Sequence, residues 1–228
     1  MQSAIYQEKY SAILYDADLL PRPNSQWARP EYWPSATALN DGRGEAWKVE
    51  TQWGDAVLKH YRRGGMVAKF LKDQYRFQSW AGTRSWYEWR ILAHLSQAGL
   101  PVPRPWLAYA VKNGFFYRCD LLVAYIANCK NFAEIELQRL SQADIWYRLG
   151  QVLHRLCLAG VEHVDFNLSN VLLRDDDEIM VVDFDRAKFS PGKVVNPSRQ
   201  IQRLLRSYQK HVSHVKSKSA YVSEHSYA

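Results

Sequence analysis

No apolar run in this 228-residue sequence is long enough to cross a bilayer, and the longest, Leu121 to Ala127, falls far short of the ~20 residues a spanning helix needs. The opening Met-Gln-Ser-Ala-Ile-Tyr-Gln-Glu-Lys-Tyr carries no apolar stretch of the kind that directs secretion. Cysteine is scarce. Cys119, Cys129 and Cys157 are odd in number, with no Cys-x-x-Cys spacing and no neighbouring His pair, which argues against a disulfide framework and against a zinc site. Free, mostly buried thiols and a cytoplasmic location are the expectation. Internal repeats are also lacking. Apolar residues, by contrast, are present in ordinary globular measure at 47%, which argues against disorder. The length suits one large domain or two small lobes, with enough chain to bury a real core.

Charge is plentiful but uneven. The chain carries 30 Lys and Arg against 23 Asp and Glu. Lys59 to Arg90 holds eight basic residues against two acids, and Lys193 to the end holds seven against one, so the remainder is acidic. Positive fields this local favour an anionic partner, such as a nucleotide, a nucleic acid or a membrane headgroup. A merely solvated surface is the competing reading, above all for the C-terminal stretch.

Residues 1–35, with Pro21, Pro23, Pro30 and Pro34, read as an irregular, extended N-terminal arm. Two strand-like runs come next, Ala46–Thr51 and Asp55–Tyr61, joined by a turn at Gly54. Arg84 to Gln97 reads as a helix stopped by Gly99 and Pro101. Trp106–Val111 and Phe115–Ile126 flank Lys112-Asn113-Gly114, a strong hairpin signal. Ser141-Gln-Ala-Asp144 starts a helix whose Ile145, Leu149, Val152, Leu153 and Leu156 share one face as far as Gly160. Pro197-Ser198 opens another, with Ile201, Leu204, Leu205, Tyr208 and Val212 on one stripe. The predicted organisation is an arm (1–35), a strand-rich lobe (36–126), a helix-rich lobe (127–212) and a polar, frayed tail (213–228). The fold class is α+β.

The chemistry concentrates after His163. Asn170-Val-Leu-Leu173 and Ile179-Met-Val-Val-Asp183 flank Arg174-Asp-Asp-Asp-Glu178. A hairpin centred between Asp176 and Asp177 sets Asn170 opposite Asp183, two hard oxygen ligands of the kind Mg²⁺ takes. Asp165, five residues before Asn170, sits in the loop leading into the first of these strands. A carboxylate free to hold a hydroxyl, beside an Asp/Asn pair holding Mg²⁺, is the layout that phosphoryl transfer needs. Asp165 and Asp183 taken singly read as a turn residue and a strand-end cap. The joint pattern His-x-Asp-x4-Asn, hairpin, Asp-Phe-Asp points to an ATP-dependent kinase.

Such an enzyme needs a lysine for the ATP phosphates and a carboxylate to hold it. In the helix Arg84–Gln97, Glu88 shares the apolar face of Ile91, Leu92 and Leu95, and a buried carboxylate is costly unless paired. Lys59, in the apolar run Ala56-Val-Leu-Lys59, is the expected partner. Gly42-Arg-Gly44, ahead of that strand, is a weak candidate for a phosphate-covering loop. Leu121–Ile126 is placed to lead into a hinge whose backbone meets adenine.

With these parts in order, the chain resembles the protein-kinase-like superfamily over residues 36–212. More narrowly, it resembles the lipopolysaccharide kinases of Gram-negative bacteria, those acting on 3-deoxy-D-manno-octulosonic acid (Kdo). The residues that carry this are Gly42-Arg-Gly44, Leu58-Lys-His-Tyr-Arg-Arg-Gly-Gly65, Thr83-Arg84 with Glu88, Gly99-Leu-Pro-Val-Pro-Arg-Pro105, His163-x-Asp165-x4-Asn170 and Val182-Asp-Phe-Asp-Arg186. The resemblance implies a bilobal kinase-like fold with a reduced helical C-lobe. It also implies phosphate transfer from ATP to the 4-hydroxyl of Kdo on a lipid A precursor, by a peripheral protein at the cytoplasmic face of the inner membrane. Nucleic acid is not an expected partner. In this frame Asp165 orients and deprotonates the acceptor, Asn170 and Asp183 bind Mg²⁺, Lys59 with Glu88 holds the nucleotide phosphates, and Gly42 and Gly44 cover them.

The sequence departs from protein kinases at two points. Asp185 stands where their glycine would be, and only about 45 residues follow Asp183, too few for a peptide-binding lobe. Arg62, Arg63, Lys69, Lys72, Arg76 and Arg84, interleaved with Tyr61, Phe70, Tyr75, Phe77, Trp80 and Trp86, would suit an anionic glycolipid or would simply pack the smaller lobe. The tail helix, with Arg199, Arg203, Arg206 and Lys210, could lie on anionic lipid. A kinase of another core sugar such as heptose, a protein kinase, and a non-catalytic binder of anionic lipid stay open as alternatives.

Overall fold

The structure, a computed structural model, describes residues 1–39, 46–62 and 73–225, with the side chains of the last helix described as far as residue 217. Gly42 and Gly44, and Arg63, Gly64, Gly65, Lys69, Phe70 and Lys72, lie outside the described residues. The chain divides into two compact units, Met1–Gly99 with Pro103–Ile126, and Leu100–Val102 with Ala127–Ala228.

The first unit is built on β1 (Ser3–Gln7), β2 (Ser11–Asp16), β3 (Thr37–Ala38), β4 (Ala46–Thr51), β5 (Gly54–His60), β6 (Tyr75–Arg76), β7 (Pro105–Asn113) and β8 (Phe116–Ala124), with one helix, α1 (Arg84–Gln97). The sheet runs β1-β2-β7-β8-β5-β4-β3, with β6 also on β8, and every pairing is antiparallel. On one side of β5, Ala56 and Leu58 enter a core with Ile13, Leu20, Trp27, Val49, Trp106, Leu107 and Leu122. Strand alternation turns Val57, Lys59 and Tyr61 to the opposite side.

The expected N-terminal arm is corrected here. Its first half is the β1–β2 hairpin, zipped onto β7 from Ser11↔Val111 to Tyr15↔Leu107. Ala12, Ile13 and Leu14 are all buried, so β2 has no polar face to give it an alternating signature. Its turn, Glu8-Lys9-Tyr10, carries no Gly, Asn or Pro. Buried Asp16 accepts Arg104 Nε at 2.8 Å and lies 2.6 Å from its Nη2, tying this hairpin to the start of β7. The prolines belong to the second half, around two 3₁₀ turns at Ser25–Ala28 and Pro30–Tyr32.

The second unit contains β9 (Cys129–Asn131), α2 (Leu137–Leu140), α3 (Ala143–Leu158), β10 (Val161–Glu162), β11 (Val171–Arg174), β12 (Ile179–Val181), β13 (Lys188–Phe189) and α4 (Ser198–His225). The sheets are small, β12-β11-β9 and β10-β13. The predicted stripe of α3 is buried at Ile145, Leu149, Leu153 and Leu156. Gly160, with φ +77°, ends the connection from it, and a Cβ there would meet the Ser190 carbonyl oxygen at 2.3 Å.

Helix α4 corrects the expected frayed tail, for it is continuous through His225. Its stripe is also rotated from the one expected. Gln200 and Leu204 are buried, whereas Ile201 and Leu205 are exposed. Among the described residues no helix is long and apolar enough to cross a membrane. None of the three cysteines is in a disulfide, and burial pushes Cys119 up to about 12.

Candidate active site

The Lys59–Glu88 pair inferred from the apolar stripe is present. Lys59 Nζ donates to Glu88 Oε2 at 3.0 Å and to Oε1 at 3.3 Å, and Glu88 is 3% exposed. Register explains the meeting. Lys59 pairs with Ala46 on β4 and Leu121 on β8, while α1 packs across β7 and β8 with Glu88, Ile91, Leu92 and Leu95 inward. Two residues on from Lys59, and so on the same side of the chain, Tyr61 donates its hydroxyl to Glu88 Oε2. A charged carboxylate stripped of water thus receives a cation and a neutral donor.

The Tyr61 ring also lies 5.0 Å from Lys59 Nζ and 5.6 Å from the Arg84 guanidinium carbon, which sits 4.9 Å over Tyr75 while Nη1 donates to Tyr75 Oη at 2.7 Å. Of the basic-aromatic stretch, Tyr61, Tyr75 and Trp86 are therefore packing residues, all buried.

In the second unit His163 is fully buried, edge-on to Phe184 at 4.7 Å and Phe166 at 5.6 Å. Its Nε2 lies 2.9 Å from the Val182 carbonyl oxygen, an acceptor only, so Nε2 carries the proton. Burial holds the imidazole below its ordinary pKa, and the ring is a neutral peg that ties the loop to Val182, just past the end of β12. Gln200 on α4 accepts the His163 backbone N–H at 2.8 Å and donates to Cys157 Sγ at 3.4 Å, fixing the loop from behind.

Beyond that peg, Asn170 Nδ2 donates to the Asp165 carbonyl oxygen at 2.9 Å, which closes the loop on itself. The side chain of Asp165 is left 38% exposed, with Arg186 Nη1 at 3.4 Å from its Oδ2.

The β11–β12 hairpin forms, but one residue away from the expected register. Val171 pairs with Val181, and Val182 N–H donates to Asn170 O at 3.0 Å, so Asn170 faces Val182 and Asp183 follows at the next position. The cause is the loop. Arg174 N–H donates to Glu178 O, leaving Asp175, Asp176 and Asp177 as a three-residue turn closed by left-handed Asp177, φ +65°. Asp183 is also left-handed, φ +64°, whereas Asp185 is not, so the backbone demands no glycine at 185. At the end of β8, the Ala124 and Tyr125 N–H groups donate to Arg104 and Asp55 carbonyls, which removes both as adenine donors.

The family model for lipopolysaccharide kinases (Kdo/WaaP) matches residues 32–223. The chain belongs to the lipopolysaccharide kinase (Kdo/WaaP) family. It is similar to the 3-deoxy-D-manno-octulosonic acid kinase of Vibrio vulnificus (strain CMCP6), 36% identical over 88% of this chain and 86% of that protein. The protein of the same name from Vibrio cholerae serotype O1 is 33% identical, over 91% and 89%. That of Stenotrophomonas maltophilia (strain R551-3) is 34% identical, over 86% and 79%. The strand-rich first unit and the helical second part agree with the kinase-like α+β fold of the Kdo/WaaP family.

For this family member, sequence reasoning found Lys59 and Glu88 but missed two supports. Tyr61 read as one aromatic among many. Gln200 could have been found as an amide on the buried side of α4, next to Leu204, where it needs partners for both ends.

Proposed function

We propose that this lipopolysaccharide kinase family member transfers a phosphoryl group from Mg-ATP to the 4-hydroxyl of Kdo on a lipid A precursor. We place it at the cytoplasmic face of the inner membrane, held peripherally, with the exposed Arg199, Arg206 and Lys210 of α4 toward anionic lipid. The observation that carries the reading is Asp165, a half-exposed carboxylate on a loop pinned by buried His163 and by Asn170. The kinship to proteins named for the Kdo kinase reaction supports the choice of acceptor.

In this reading Asp165 accepts the acceptor's hydroxyl hydrogen and orients the oxygen for attack. Asn170 and Asp183 would hold Mg²⁺. The Asn170 amide nitrogen is committed to the Asp165 carbonyl, and its Oδ1 has no hydrogen-bond partner among the described residues, so a hard oxygen donor remains open on Asn170. The metal neutralises phosphate charge when bound. Lys59, held by Glu88 and Tyr61, binds the α- and β-phosphates as a fixed point charge, and Gly42 and Gly44 cover them through their backbone.

The decisive variant is Asp165→Ala, which abolishes phosphoryl transfer while nucleotide affinity, read by calorimetry, stays within a few-fold of the unaltered protein's. Turnover equal to that of the unaltered protein would sink the assignment.

A further inference from the structure

Arg186 follows the Asp183-Phe184-Asp185 turn, and its backbone is anchored on both sides. Phe184 is fully buried, Ala187 is buried, and Ala187 N–H donates to Phe184 O at 3.0 Å. The side chain is the opposite, 66% exposed, with one partner among the described residues: Nη1 lies 3.4 Å from Asp165 Oδ2. That contact is long and single, and Nε and Nη2 meet no acceptor among the described residues. Where this chain uses arginine to hold structure, the geometry differs. Arg104 sets both Nε and Nη2 within 2.8 Å of the buried Asp16 carboxylate. An exposed, single-point pair such as Arg186–Asp165 adds little stability.

What Arg186 does offer is a guanidinium carried on an anchored backbone, with most of its fork open and one nitrogen 3.4 Å from the carboxylate assigned to the acceptor hydroxyl. A planar fork of this kind matches a carboxylate through two parallel hydrogen bonds. The acceptor class proposed above is a sugar acid, whose carboxylate on C2 and hydroxyl on C4 are 1,3-related, two ring bonds apart. With the hydroxyl on Asp165, the carboxylate falls within reach of a guanidinium already in contact with Asp165.

We infer that Arg186 reads the carboxylate of the acceptor sugar, exchanging its contact with Asp165 for the sugar acid when the acceptor binds. This rests on the proposed Kdo phosphotransfer. Arg186 is thereby a specificity residue and Asp165 the base, and a neutral sugar of similar size leaves the guanidinium on Asp165.

The test compares the unaltered protein, Arg186→Gln and Arg186→Lys on Kdo-lipid A precursor and on the same lipid with the Kdo carboxyl converted to its amide. The unaltered protein should prefer the acid by roughly 10- to 100-fold in kcat/KM, the range for a hydrogen bond to a charged group. In Arg186→Gln this preference should collapse through a raised acceptor KM, with KM for ATP unchanged, and Arg186→Lys should restore part of it. A full preference for the acid in Arg186→Gln overturns the inference, as does a rise in KM for ATP in its place, or an equal fall in kcat on both lipids. An unaltered protein inactive on both lipids overturns the proposed reaction and this inference with it. Normal turnover with no change on substitution overturns this inference alone.

Discussion

At 3% exposure Glu88 has almost no water to solvate its charge, and Lys59 and Tyr61 replace that water. The Tyr61→Phe variant removes one donor and leaves the carboxylate buried. It should therefore destabilise the first unit by about 1.5–3 kcal/mol, the range for a hydrogen bond to a charged group, as read from denaturant midpoints. No change would show that Glu88 is satisfied without the Tyr61 hydroxyl. The next residue along from Lys59, His60, couples stability to pH. Burial pulls the His60 imidazole down, but the hydrogen bond and charge of Asp120, 2.5 Å from Nδ1, and the charge of Asp73 outweigh burial and the opposing Arg62, leaving it raised. The folded form then holds the proton more tightly than the unfolded chain. The resulting stability is present in full below the ordinary value of 6.5 and is lost as pH rises through the higher folded pKa. The advantage of the unaltered protein over His60→Gln, measured across that range, should shrink as pH rises, and a constant difference would contradict the assignment. Lys59 and Glu88 were legible in the sequence because each is a charge on an apolar stripe. Tyr61, His60 and Asp120 were not, since an aromatic in a strand reads as core and the His–Asp meeting depends on β5–β8 register.

Among elements, the turns decide what was legible. Asn113-Gly114 announced the β7–β8 hairpin, and Gly99 and Pro101 announced the end of α1. The β1–β2 hairpin went unread because its turn has no punctuating residue and β2 is buried at nearly every position. The β11–β12 register slipped by one because three acidic residues do not reveal which takes the left-handed position, and Asp177 does. Two glycines, one in the middle of α3 and one just past its end, test the same physics in opposite directions. Gly150 is helical with open space around its Cβ position, so Gly150→Ala should stabilise by about 1 kcal/mol. Gly160→Ala places a methyl group against the Ser190 backbone at positive φ and should cost more than about 1–2 kcal/mol. Thermal or denaturant unfolding of the two variants checks both signs, and a Gly160→Ala protein as stable as the parent would refute the close approach.

At the scale of the whole molecule, the α+β class, the strand-rich first unit and the helical second part could be read from periodicity, while the N-terminal strands and the continuation of α4 beyond Val212 could not. Composition said only that an anionic partner was favoured. The choice among nucleotide, nucleic acid and lipid came from Asp165, Asn170 and Asp183 standing on one short loop and hairpin, and from the family to which the chain belongs. The proposed reaction is tested without intermediaries by mass analysis of Kdo-lipid A precursor after incubation with the protein and Mg-ATP, with fragmentation to locate the modification. The expected product carries one added phosphate on the Kdo, absent without ATP and absent with Asp165→Ala. An unmodified lipid, or a phosphate placed elsewhere than on the Kdo, would contradict the proposed reaction.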